Sequence, residues 1–223
     1  MEAQKVRRKK LLKHRSFAFL IGINEYPNIG NLISPVRDVN VLSKVLQEEQ
    51  GFDHVGKMLN ADAASIRQLL KWLGDDQVEI DNGQAADLPA NILWLEAPKA
   101  EAEETSSEAN APNKISKEDY VVFYFAGHGV SREMSDQSDR PPVGFLMPSD
   151  ASMDSELIEM KDIFLAFDRT GCKHLLLILD CCFAGSIRFI SKTRSSAFGG
   201  RPFYEDRFES FLQKKSRQVL VSS

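Results

Sequence analysis

The sequence predicts an α/β sandwich of three layers, with a largely parallel central sheet and helices on both faces. Near-continuous apolar runs at residues 16–24, 120–125 and 174–180 are the mark of strands buried on both faces. Between them lie segments whose apolar residues recur at helical spacing, and strands that alternate with helices pair in parallel through crossovers. Two of the runs also end in reactive residues, His128 after one and Asp180-Cys181-Cys182 after the other. In sheets of this kind the chemistry sits beyond the carboxyl ends of the strands.

After the first strand, residues 25–30 are loop chemistry rich in Pro, Asn and Gly. A helix starts at Pro35, carries Val36, Val39, Leu42, Val45 and Leu46, and is ended by Gly51. Residues 52–60 form a short strand, and Asp62 caps a second helix with Ile66, Leu69, Leu70 and Leu73 on its apolar side. Ile92–Leu95 is an apolar island, read as a short docking segment. A short strand is expected at 144–147, then a helix near Ser155–Asp168 closed by Gly171. Beyond the run at 174–180 come a Ser/Arg/Gly-rich loop, a short helix over 205–214 and a last strand at Arg217–Val221. There are no internal repeats.

Composition bounds the function. The 223 residues are 43% hydrophobic and 27% charged, ordinary for a globular chain able to bury a core. Three cysteines are too few for a disulfide scaffold, and unpaired thiols fit a reducing cytoplasm. A net charge of −4 gives no reason to expect a nucleic-acid partner. No run of about 18 apolar residues exists to span a membrane. Residues 1–14 read as a basic solvated leader and not an export signal, because the apolar run behind it is short and lacks a cleavage site. Residues 75–119 hold twelve acids and three lysines, a local charge of −9 that leaves the remainder at +5. Within that stretch, an insertion at about 96–117 is expected to be disordered, since it has too little apolar surface to offset the entropy of ordering.

A thiol nucleophile needs an imidazole within reach, and both are best held on sharp turns after rigid strands. Gly127 and Gly129 flank His128, and Gly185 follows Cys182 by three. The two groups lie 54 positions apart, close to the roughly 50 that separate such a pair in caspases. Phe123-Tyr124-Phe125-Ala126-Gly127-His128-Gly129 and Leu179-Asp180-Cys181-Cys182-Phe183-Ala184-Gly185 resemble the two catalytic signatures of caspase-like cysteine peptidases. The metacaspase and bacterial orthocaspase branch is the nearer one. Leu20-Ile21-Gly22-Ile23-Asn24-Glu25-Tyr26 with Pro35-Val36-Arg37-Asp38-Val39 resembles the same branch. The likeness covers about residues 15–60, 118–185 and 215–223.

The resemblance implies a caspase-like fold and an endopeptidase in which His128 is the catalytic imidazole and Cys182 the nucleophile. Cys181 stands where relatives often carry Ser or Cys, and neighbouring side chains on a strand point to opposite faces. The backbone N–H groups of Gly129 and Cys182 would hold the oxyanion. Asp38 and Asp180 match the family's two pocket carboxylates, so the residue preceding the cut (P1) is expected to be Arg or Lys. A buried carboxylate pair would carry a desolvation cost that an incoming cation offsets. Ala126 stands in place of a pocket-lining Ser, and Phe183 in place of a common His.

The resemblance further implies a protein substrate, no organic cofactor, a role in stress, defence or cell-death responses, and self-processing in a linker at 186–205. Arg188, Lys192, Arg194 and Arg201 are the candidate cleavage sites there. Calcium is left open as an activator; Asp136, Asp139 and Asp150 come after His128, but their spacing fits no ligand loop well. No metal site is expected otherwise. His174 and Cys182 on one strand lie about 26 Å apart at ~3.3 Å per residue, too far to share an ion. Asp180 at a strand end could also serve an NTPase, but no G-x-x-x-x-G-K-[ST] loop exists. The rival of another class is a catalytically silent caspase-like scaffold module. Caspase-like folds continue past the last strand, so residues 15–223 are expected to be the large-subunit part. A missing small-subunit segment or a regulatory partner would complete it.

Overall fold

The computed structural model describes residues 14–74, 88–95, 115–132, 143–152, 155–172, 174–182 and 216–221. Residues 1–13 of the leader, nearly all of the acidic insertion, the proposed processing linker and the helix expected at 205–214 lie outside these residues.

Six strands form the main sheet: β1 (Ser16–Gly22), β2 (His54–Leu59), β3 (Leu93–Trp94), β4 (Tyr120–Ala126), β8 (His174–Asp180) and β9 (Ser216–Val221). They run side by side in the order β3-β2-β1-β4-β8-β9. Every pairing is parallel except β2 with β3 at the edge. The three apolar runs are thus the central strands, as their two-sided burial requires.

Alternation along these strands builds two cores. Phe17, Phe19 and Ile21 join Val121, Phe123 and Phe125 on one face, beneath helices α2 (Ala63–Gly74) and α3 (Met160–Arg169). Ala18, Leu20, Tyr124 and Ala126 face the other way, against Val39 of helix α1 (Pro35–Lys44). Helices therefore cover both faces, and the fold is that of a caspase-like α/β sandwich. A π-helical turn, Val45–Glu49, extends α1. Asp62 caps α2 by accepting the Ser65 amide at 2.8 Å. Gly51 and Gly171 stand after their helices at φ of +69° and +68°.

Two features differ from the sequence expectation. The helix expected near Ser155 begins at Met160, because Ile158–Glu159 (β7) pairs with β6 (Val143–Leu146). That pairing, with β5 (Gly129–Arg132), makes a second, three-stranded antiparallel sheet. Ile92–Leu95, read as a docking segment, instead supplies edge strand β3, with Ile92 and Trp94 packed against the larger core. Among the described residues, no helix is long and apolar enough to cross a membrane.

Candidate active site

The carboxyl ends of β1, β4 and β8 finish level, since Gly22, Ala126 and Asp180 are register partners. The segments leaving these three strands are therefore delivered to one edge. After β1 comes a loop fixed by its own polar side chains. Asn24 Oδ1 accepts the Val36 amide at 3.0 Å and Asn24 Nδ2 donates to the Ile33 carbonyl at 3.1 Å. Asn31 Oδ1 accepts the Tyr26 amide at 2.8 Å. These bonds, with Tyr26 buried in the larger core and Ile29 and Leu32 packed against it, give the loop a single path.

That loop grips His128. The His128 amide donates to Tyr26 Oη at 2.8 Å, and the two rings lie 4.7 Å apart. His128 Nε2 is 2.7 Å from the Gly30 carbonyl oxygen. A carbonyl only accepts, so Nε2 carries the proton and Nδ1 of the neutral ring keeps its lone pair. A backbone carbonyl thus orients the imidazole, a place that an acid takes in nucleophile–base pairs. Burial pushes the Tyr26 phenol well above its ordinary pKa, so it stays a neutral acceptor.

The cysteine pair divides as strand alternation expects. Cys181 is buried in the larger core, whereas Cys182 is exposed. Burial first, then the charges of Cys182 and Asp180, push the Cys181 thiol up to about 12. Cys181 is therefore a protonated packing residue and Cys182 the accessible thiol. His128 and Cys182 come to the same edge through Gly129. A Cβ at Gly129 would collide with the Cys182 carbonyl and stand 3.1 Å from Cys181 Sγ, so only glycine fits. The Met147 amide donates to the His128 carbonyl at 3.0 Å. Narrow and wide positions alternate in an antiparallel ladder, so the Gly129–Leu146 pair is the unbonded kind and the Gly129 N–H turns away from β6.

The carboxylates correct one expectation. Asp38 and Asp180 are not a buried pair: Asp180 is exposed, and the Asp38 side chain keeps 36% exposure with Arg37 Nε 3.4 Å away. Asp180 is the last residue of β8 and Asp38 lies in the first turn of α1, so neither is sealed under the helix layer. Both carboxylates nevertheless act on one phenol, that of Tyr124. Ala126 is 2% exposed and forms a buried wall between Gly22 and Asp180.

Asp150 is occupied elsewhere: its Oδ1 accepts the Ala63 amide at 2.8 Å and caps α2. Asp136, Asp139, Phe183, Arg188, Lys192, Arg194 and Arg201 lie outside the described residues. Among the described residues no three His, Cys, Asp or Glu side chains cluster as metal ligands. The holding roles of Tyr26 and Gly30 escaped the sequence reading. A backbone carbonyl carries no residue signature, and Tyr26 read as part of a loop.

A caspase-like α/β sandwich with an accessible thiol and an oriented imidazole at its carboxyl edge is a scaffold suited to acyl transfer. A family model described as a caspase domain matches residues 15–86. The match covers β1 to α2 and stops short of His128 and Cys182. It supports a caspase-like family and, in general terms, a cysteine peptidase. A search of curated proteins found no match.

Proposed function

We propose that this protein is a cysteine endopeptidase of the metacaspase and orthocaspase branch that cleaves after Arg or Lys. The observation that carries this reading is the division of labour at the carboxyl edge. One thiol of the pair is exposed and the other buried, at the edge that also carries an imidazole whose Nε2 is committed to Gly30.

Those atoms suffice for the chemistry. His128 Nδ1 takes the Cys182 proton, and the thiolate attacks the carbonyl of the P1 residue. The amides of Gly129 and Cys182 face the developing oxyanion. The imidazolium then returns its proton to the leaving amine as the C–N bond breaks. Water, activated by the same ring, hydrolyses the thioester. Asp180 and Asp38 attract the cationic P1 side chain. Self-processing after Arg188, Lys192, Arg194 or Arg201, activation by calcium, completion by a small-subunit segment, a cytoplasmic location and a stress, defence or cell-death role extend the proposal.

Fluorogenic Arg- and Lys-peptides, assayed with and without calcium, test it. Turnover should vanish in Cys182→Ala, a loss of ~10³-fold or more by analogy with other nucleophile deletions, and persist in Cys181→Ala. Asp180→Ala should fold but lose cleavage after basic residues. Wild-type protein that binds such peptides intact, with no turnover in either condition, would favour the silent scaffold.

A further inference from the structure

The row Gly22–Ala126–Asp180 carries little side-chain volume before Asp180, and the residue one layer deeper on the same face is Tyr124. Two residues before Ala126, it shares that face and sits diagonal to Asp180, within reach of an aromatic side chain. Tyr124 is 8% exposed, and its Oη lies 3.5 Å from Asp180 Oδ2. The carboxylate can only accept, so the phenol donates, at the long limit of a hydrogen bond. Burial first, then Asp180 and Asp38, push the phenol up to about 12, so it is neutral at working pH. Its oxygen therefore keeps lone pairs with which to accept.

We infer that Tyr124 is a specificity-determining residue whose hydroxyl floors the P1 subsite and favours Arg over Lys. This rests on the proposed preference for a basic P1 residue. A guanidinium is a planar fork with five donors. Two N–H groups can engage Asp180 while a third reaches the Tyr124 oxygen. An ammonium ends in a compact charge that the carboxylates alone can hold. Tyr124 then donates to Asp180 and accepts from the substrate, and the stretched contact tightens when the site fills. One hydrogen bond to a charged group corresponds to about tenfold discrimination.

The test measures kcat/KM for two fluorogenic peptides that differ only in P1 Arg or Lys, with wild type, Tyr124→Phe and Asp180→Ala. Tyr124→Phe should lower the Arg-to-Lys ratio about tenfold, through KM for the Arg peptide. An unchanged ratio would overturn the inference. Asp180→Ala separates the two levels. If it abolishes Arg cleavage while Tyr124→Phe leaves the ratio unchanged, the role of Tyr124 alone fails; if Arg cleavage survives Asp180→Ala, the basic-P1 reading fails with it. A second measurement needs no variant: P1 ω,ω-dimethyl-arginine keeps the charge but loses donors. Wild type should cut it no faster than Lys, and cleavage at the Arg rate would overturn the inference.

Discussion

The two ends of the central sheet use polar residues in opposite ways. At the amino edge most of them close on one another. Asp119, nearly buried, accepts Arg15 Nη2 at 2.7 Å, the Arg15 amide at 3.2 Å and the Ser116 amide at 2.6 Å. Asp53 Oδ2 accepts both the amide and the hydroxyl of Ser16 at 2.8 Å. Tyr120 stacks on His174, and Phe17 on His54, although the buried Tyr120 hydroxyl has no hydrogen-bond partner among the described residues. At the carboxyl edge Cys182 and Asp180 are exposed, and His128 has one nitrogen committed to Gly30. The same parallel strands feed both ends, so the contrast lies in how the polar groups are satisfied. Mutual satisfaction gives stability, and groups left facing solvent are available for chemistry.

The largest test of this contrast is Gly129→Ala. The new methyl would strike the Cys182 carbonyl and displace the backbone that carries the thiol. Misplacement by a fraction of an ångström at a reacting centre is costly, so kcat/KM should fall more than about 100-fold while the fold survives. Near-normal turnover would show that the Gly129–Cys182 contact does not set the site.

The amino edge should respond in stability alone. Arg15→Ala takes the guanidinium from the buried Asp119 carboxylate and leaves it two backbone amides, a loss of about 1.5–3 kcal/mol in urea unfolding, with kcat/KM unchanged. Acid titration sharpens the assignment. Burial acts to raise the Asp119 pKa, but Arg15 and the Ser116 amide outweigh it and hold the carboxyl below 3.8. The stability it contributes is full above that value and lost as pH falls through the folded pKa. Burial lowers the His54 pKa below 6.5, so the unfolded chain binds more protons and stability also declines as pH falls below 6.5. Arg15→Ala brings the folded pKa of Asp119 back toward its unfolded value, so the lower limb should flatten. A limb of unchanged slope would remove Asp119 from the account.

The smallest effect concerns Arg37, whose side chain is 75% exposed beside Asp38. Exposed pairs contribute little, so Arg37→Ala should raise kcat/KM for Arg-peptides about twofold, and high salt should erase the gain. A fall would mean that Arg37 serves the site and not merely its partner.

Much of the fold is legible in the sequence, for physical reasons. β1, β4 and β8 are buried on both faces, and such strands must be continuously apolar. α2 shows its core face as Ile66, Leu69, Leu70 and Leu73, all buried. β5 and β7 are not legible: Gly-Val-Ser-Arg and a two-residue strand carry no periodicity, and their pairing is tertiary. The thiol and imidazole are visible because their residue types and flanking glycines are rare at strand ends. The carbonyl of Gly30 and the hydroxyls of Tyr26 and Tyr124 act through position. The burial of the Asp38 and Asp180 carboxylates was implied by the resemblance alone, and exposure depends on tertiary packing that motifs do not report.

The central claim, that Cys182 is the nucleophile and His128 its base, is tested most directly by covalent labelling. Wild type, His128→Ala and Cys182→Ala would be treated with a peptidyl-arginine acyloxymethyl ketone and mapped by mass spectrometry. One label per molecule on Cys182, slowed at least about 100-fold in His128→Ala and absent in Cys182→Ala, is the expected result. A label on Cys181 or Cys172, or a rate on Cys182 indifferent to His128, would contradict the account.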